Sequence, residues 1–422
     1  MNQIRVGIAG LGTVGAATFN ILKVHPSFVV TAVSARSKSK DRGLDLSKVI
    51  WVDNPVDLAS RDDVDVVVEV MGGDNDPALS LVRTALGNKK SVVTANKALL
   101  AKHGVELASL AEQNGVSLSY EAAVAGGIPI IKMLREGLSA NDIGAVYGIL
   151  NGTCNYILTT MEDKGRSFDD VLSEAQKLGY AEADPTLDVD GGDTGHKISL
   201  LSALAFGGMP HLKSLSIRGI RSISIEDIHA ANELNHRIKL IGLAQMQKTG
   251  RVLQMVTPAL VPKSSPMAHV DGVLNAVLIE GNHVGQSFVS GRGAGAEPTA
   301  SAIVADLIDI LRGQSIPAFG KPTAQLSDKD NLDIADWRGE FYLRLMVKDR
   351  AGVIADIAPI LRDAYISIES MIQHGRASDD RPVSVVIVTH TTSGRHMMDA
   401  VQKIAKLDSM VAPPFVMPIL KI

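Results

Sequence analysis

Five carboxylates, Glu182, Asp184, Asp188, Asp190 and Asp193, fall within the sixteen residues 182–197, a stretch that ends on Lys197. Such a density repels itself unless something cationic is held among the acids. The stretch runs directly into Ile198-Ser199-Leu200-Leu201-Ser202-Ala203-Leu204-Ala205-Phe206, so an acidic loop feeds a buried helix. With Asp193 near the helix start, its charge suits the positive end of the dipole, and Lys197 follows at i+4 on the same face. An exposed pair of this spacing is worth only about 0.3–0.5 kcal/mol. Lys197, however, opens an apolar segment, where an amine is costly without a partner or a task. A carboxylate and an amine are therefore expected to point together into the cleft that the acidic loop lines.

A second group of residues reads as a nucleotide loop. The apolar strand Ile4-Arg5-Val6-Gly7-Ile8-Ala9 is followed at once by Gly10-Leu11-Gly12-Thr13-Val14-Gly15 and a helical run. In this setting the first glycine allows the turn, the second admits a pyrophosphate, the third lets helix pack on strand, and the helix start stabilises the anion. The alternative is a glycine-rich turn in another α/β protein. After the next strand, an acidic residue for the ribose of NAD is replaced by Ser34-Ala35-Arg36-Ser37-Lys38-Ser39-Lys40. Arg36 and Lys38 suit a 2′-phosphate and favour NADP, with NAD possible; a solvated basic loop is the other reading.

The elements that must position these groups alternate strand and helix: strands at 64–70 and 91–93, helices at about 77–86 and 97–113. This pattern predicts an N-terminal Rossmann-type, doubly wound parallel sheet over 1–130. Gly72 and Lys97 then lie at carboxyl ends of strands, where such sheets bind ligands. Tyr120-Glu121-Ala122-Ala123-Val124-Ala125-Gly126-Gly127-Ile128-Pro129 is a hinge, or else a way to fold carbonyls round a hard cation. Residues 131–318 form an expected α+β substrate and dimerisation domain with a largely antiparallel sheet, including strands at 237–245, 252–260, 275–280 and 283–289. Asn151 and Thr153 cap a helix or face the site. Cys154 reads as a small buried residue, with no histidine beside it in sequence. Gly291-Arg292-Gly293-Ala294-Gly295 opens a helix whose 298–312 portion is expected to pack back on the first domain. A linker at 319–338 leads to a separate βαββαβ module at 339–422.

Composition narrows the function. The 422 residues carry 46 acidic and 42 basic side chains, a net charge of −4, and 4% aromatics, which makes nucleic acid and anionic membranes unexpected partners. One cysteine fits a reducing cytoplasm, and no apolar run reaches membrane-spanning length.

In this order and spacing, the loop at 10–15, Thr94-Ala95-Asn96-Lys97, Asn151-Gly152-Thr153-Cys154-Asn155-Tyr156, the block 179–197 and the glycines at 291–295 resemble the homoserine dehydrogenases. The resemblance covers nearly the whole chain and, with no kinase segment ahead of it, is to the monofunctional form. It implies NAD(P)H-dependent, reversible reduction of L-aspartate 4-semialdehyde to L-homoserine, on the route to threonine, methionine and isoleucine. It places the proton donor on Lys197, with Asp193, Glu182, Asp188, Thr153 and the backbone at Gly179 holding the amino acid. Lys97 contacts cofactor and substrate; Gly293 and Gly295, read from the residues alone as a second glycine-rich helix start, are expected to close over the cofactor. A sodium ion is implied near Glu121 and the carbonyls of Val124, Gly126 and Ile128. The chemistry agrees: hydride arriving at an aldehyde leaves an alkoxide, which needs a cation and a proton. The glycine-rich Asp190-Gly191-Gly192 departs from many relatives. The tail resembles a ferredoxin-like ACT domain, implying feedback by an amino acid, threonine first, or dimerisation alone. A homodimer or homotetramer is expected. The rival readings are a dehydrogenase for another amino-acid aldehyde and a non-catalytic dinucleotide and amino-acid sensor.

Overall fold

The computed structural model describes residues 3–373 and 382–422. Its first sheet contains β1 (Ile4–Ala9), β2 (Phe28–Ser34), β3 (Ile50–Trp51), β4 (Val66–Glu69), β5 (Ser91–Thr94) and β6 (Leu118–Ser119), in the order β3-β2-β1-β4-β5-β6. Every pairing is parallel. Inner strands covered by helices on both faces bury every side chain, which is why β4 reads Val66-Val67-Val68 without alternation. The helix Thr13–Val24 covers one face together with Ala296–Leu311, whose Ile303 and Leu307 join Val6, Ile8 and Phe19 in one core.

The second sheet is mixed. It holds β7 (Ile143–Ile149), β8 (Ser216–Ile217), β9 (His236–Met246), β10 (Val252–Pro262), β11 (Leu274–Gly281), β12 (Gly285–Arg292), β13 (Arg338–Lys348), β14 (Ile368–Gln373), β15 (Pro382–Thr389), β16 (Thr392–Ser393) and β17 (Phe415–Ile419). The order is β12-β11-β7-β9-β10-β17-β13-β15-β14, with β8 on β10 and β16 on β13. Pairings are antiparallel except β10 with β17 and β10 with β8. Against β7, β9 and β10 lies the helix Gly192–Phe206, buried on nearly all sides from Ile198 to Ala203.

Two expectations change. The strand expected from 283 begins at Gly285, because Asn282 to Val284 form a turn held by Asn141 and Asp142. The glycines at 291–295 do lead into a helix as expected, Ala296–Leu311 with Gly295 at its N-cap, although β12 runs on through Arg292. The tail is also less separate than expected: its four-stranded sheet joins the edge of β10 through Leu260 and Ile419. The expected strand end at His374 lies outside the described residues. Among the described residues no helix is long and apolar enough to cross a membrane.

A buried polar clamp reinforces that joint. Asp227, fully buried on the helix Ile225–Glu233, closes a capping box with Ser224 and accepts from Tyr342 Oη at 2.9 Å and Arg344 Nε at 2.7 Å on β13. Removing Asp227 leaves the Tyr342 phenol without its acceptor and the Arg344 guanidinium without its counter-charge. Asp227→Ala is therefore expected to cost about 3 kcal/mol. Calorimetry should show a lowered thermal transition, with Asp227→Asn falling between variant and parent.

Candidate active site

The nucleotide loop is built by close approach. A Cβ on Gly10, at φ +102°, would lie 2.6 Å from the Val70 carbonyl oxygen, and one on Gly15 only 1.9 Å from that of Gly10. Gly12 differs: nothing lies within 4 Å of its Cβ direction, so its outer face is open. A cavity of about 830 Å³ begins there and is lined by Gly10, Leu11, Gly12, Arg36, Lys38 and Gly72, with Lys40 and Arg42. The residues fit a dinucleotide phosphate: open backbone at a helix start and a basic rim. Thr13, Val14 and Gly15 begin the helix behind the loop.

Two residues of this region were missed from sequence. Arg42 donates to the carbonyls of Leu11 (3.0 Å), Ser37 (2.6 Å) and Lys40 (2.7 Å) and stacks over Trp51, closing the basic loop onto the glycine turn. Glu69, fully buried at the end of β4, accepts from Thr94 Oγ1 at 2.6 Å and from the Met71 and Gly72 amides, which shapes the Gly72 turn. Burial pushes its carboxyl up, against those bonds. An acid ending an all-valine strand was the available signal. Asn96 then links the two loops, capping the helix Lys97–Asn114 and donating to Gly73.

The acidic block and that helix meet at Asp193. Its Oδ2 lies 2.7 Å from Lys197 Nζ, and its Oδ1 lies 3.1 Å from Lys97 Nζ. Burial opposes the charge on Asp193, but the two ammonium groups overcome it and hold the carboxyl well below its usual range. Lys197 also donates to the Leu150 carbonyl at 2.6 Å, at the end of β7. Asn151 does two jobs. Its Oδ1 caps the helix Gly152–Lys164, and its Nδ2 donates to Asp188 (2.7 Å) and Asp193 (2.9 Å). Asp188 is raised by burial, with Asp193 adding to the effect.

Gly191, at φ +89°, starts the Asp193 helix in a left-handed turn, which accounts for the extra glycine there. Thr153 Oγ1 donates to the Tyr180 carbonyl at 2.6 Å, tying the acidic block to the helix that Asn151 caps. Gly179, at φ +75°, and Glu182 stand exposed on the same block. Cys154 is buried, its thiol pushed well up by burial and donating to the Asp188 carbonyl. His196, missed from sequence, has a buried Nδ1 without a partner among the described residues, and burial lowers its pKa.

The segment around Glu121 is held from within the protein. Both carboxylate oxygens accept from the backbone of the short helix Ile130–Lys132, at 2.8 and 2.9 Å. Burial raises that carboxyl to about 7. The carbonyls of Val124 and Gly126 accept no backbone hydrogen bond among the described residues, whereas that of Ile128 accepts from Ile130. Gly293 packs against this segment: a Cβ on Gly126 would lie 2.5 Å from the Gly293 oxygen, and one on Gly293 would strike Asn275. Neither Gly293 nor Gly295 lines the dinucleotide cavity. No cluster of three or more metal-ligating side chains occurs among the described residues.

Residues 10–121 match the family model described as homoserine dehydrogenase, NAD binding domain, and residues 129–308 match the homoserine dehydrogenase model. The homoserine dehydrogenase of Neisseria gonorrhoeae is 43% identical over 98% of both chains. A crystal structure of a homoserine dehydrogenase from Thiobacillus denitrificans superposes with a TM-score of 0.93 at 42% identity, covering 100% of this chain and 99% of that one. A hyperthermophilic archaeal homoserine dehydrogenase in complex with NADPH gives 0.64 at 28% identity, covering 74% of this chain and 98% of that one. Identity of this order, sustained along nearly the full length of both proteins, places the chain in the homoserine dehydrogenase family, NAD(P)-dependent oxidoreductases that act on a CH–OH group.

Proposed function

We propose that the chain reduces L-aspartate 4-semialdehyde to L-homoserine, and the reverse, with Lys197 as the proton donor. The observation that carries this reading is the spending of hydrogen bonds around one ammonium. Lys197 has three donors, of which Leu150 and Asp193 hold two, so a single N–H direction is left for a substrate oxygen. Bound NAD(P)H supplies the hydride. Lys197 stabilises the developing alkoxide and gives up its proton to it, while Asp193 fixes both ammonium groups and Lys97 adds positive potential. Asp188, Glu182 and the Gly179 carbonyl receive the amino acid's α-ammonium, and Thr153 supports them. The site's open lysine is also what argues against a non-catalytic sensor, which needs no proton donor.

NADP is the preferred coenzyme in this reading, supported by Arg36 and Lys38 on the cavity rim and by the NADPH complex of the archaeal relative. Arg36→Ala is expected to raise KM for NADPH about tenfold, the loss of one charge-assisted hydrogen bond, and to leave KM for NADH nearly unchanged. Initial-rate titrations with the two coenzymes check it. An equal change for both would remove the 2′-phosphate role.

Sodium is proposed at the carbonyls of Val124, Gly126 and Ile128, with Glu121 at its edge. The parts are proposed as 1–130 for the dinucleotide, 131–318 for substrate and dimerisation, a linker at 319–338, and a ferredoxin-like ACT domain at 339–422. The strand order β17-β13-β15-β14 supports the last. On this reading the enzyme is cytoplasmic, a homodimer or homotetramer, and inhibited by threonine.

A further inference from the structure

The basic loop after β2 is held from outside itself. Residues 36–40 are all exposed, and among the described residues no backbone–backbone hydrogen bond ties any of them to another segment. A loop left in that condition samples many conformations, so the groups it carries lose binding energy to ordering. Arg42 supplies the missing ties. Its Nε donates to the Leu11 carbonyl at 3.0 Å, its Nη1 to that of Lys40 at 2.7 Å and its Nη2 to that of Ser37 at 2.6 Å. One planar fork thus joins both ends of the basic loop to the glycine turn. The guanidinium also lies 5.6 Å from the centre of the Trp51 ring. That ring is itself placed, by the pairing of β3 with β2 and by Trp51 Nε1 donating to Asp53 at 3.1 Å.

The two segments that Arg42 joins differ in their need of it. The glycine turn is fixed by the close approach of Gly10 to Val70 and of Gly15 to Gly10, with or without the guanidinium. The basic loop has no such second support. Loss of the fork therefore loosens Arg36 and Lys38 on the cavity rim and leaves the pyrophosphate loop in place.

We propose that Arg42 is a positioning residue that sets the preference for a 2′-phosphorylated coenzyme, acting through three backbone carbonyls to hold Arg36 and Lys38 and not through its own charge. The inference rests on the NADP reading above. Arg42→Lys is the deciding variant: it keeps the charge, but a compact ammonium cannot span three carbonyls and lie flat on an indole. KM for NADPH should rise about tenfold in Arg42→Lys and equally in Arg42→Gln, while KM for NADH moves by about twofold or less. In an Arg36→Ala background, Arg42→Lys should add little, because the second residue acts through the first. Trypsin cleavage after Lys38 and Lys40 in the coenzyme-free chain should quicken in both Arg42 variants, a readout independent of turnover. Trp51→Leu, which removes the ring and leaves the fork, should shift KM for NADPH the same way by about threefold and keeps the test open if the Arg42 variants do not fold. The proposal is overturned by an Arg42→Lys that keeps the parent's coenzyme preference, by an equal rise in KM for both coenzymes, or by unaltered cleavage. Should Arg36→Ala change both coenzymes alike, the 2′-phosphate reading itself falls; should Arg36→Ala be selective and Arg42→Lys not, only the inference about Arg42 does.

Discussion

Replacing Lys197 by alanine is expected to lower kcat for aldehyde reduction about a thousandfold, the middle of the range for a positioned proton donor. The Lys197 side chain is only 11% exposed and its ammonium is fixed by Leu150 and Asp193, so water has no equally placed proton to offer. Its nearest neighbour in kind, Lys97, sits on the opposite oxygen of Asp193 and is 33% exposed. In the proposed mechanism it supplies potential without the same constrained direction. Coenzyme binding should change little, because Lys197 does not line the dinucleotide cavity. Stopped-flow reduction with NADPH, beside equilibrium titration of the coenzyme, separates the two. A variant turning over within about threefold of the parent would remove Lys197 from the chemistry, since even a weak general acid contributes more.

Asp193→Asn is expected to be nearly as severe, by about a hundredfold in kcat/KM, through a different cause. Asp193 is 4% exposed, and its carboxylate holds two cations that otherwise face each other across the site. Neutralising it releases Lys197 from its direction and leaves a surplus of positive charge in a buried setting, at a stability cost on the order of 3 kcal/mol. The pH dependence has a definite sign. The folded pKa of Asp193 is depressed, so its contribution is present above the ordinary carboxylate range and is lost as pH falls through the lower folded value. The difference in melting temperature between Asp193→Asn and parent should therefore be full at pH 7 and shrink in acid. A difference that stayed constant into acid would mean that the lysines do not depend on this charge.

Much was legible in the residues alone where chemistry is local. The glycine spacing at 10–15 needs one strand and one helix start, both adjacent in the chain, and their geometry follows from backbone sterics. The i, i+4 relation of Asp193 and Lys197 survives because one helix carries both, and the apolar run after Lys197 correctly marks that helix as buried. The order of strands in the tail was likewise readable from alternation and turn residues.

The partnerships made across distance were set by packing. That Lys97, ninety-six residues before Asp193 in sequence, lies on its second oxygen follows from two helices packing, and no local pattern encodes it. The same holds for Asn151 bridging Asp188 and Asp193, for Arg42 returning to Leu11, and for Asp227 joined to Tyr342 and Arg344. Each is a buried or half-buried polar group whose desolvation must be offset by a partner. Burial is a property of the packed molecule, set by which surfaces meet, so the partner is fixed only when the sheets and helices have come together.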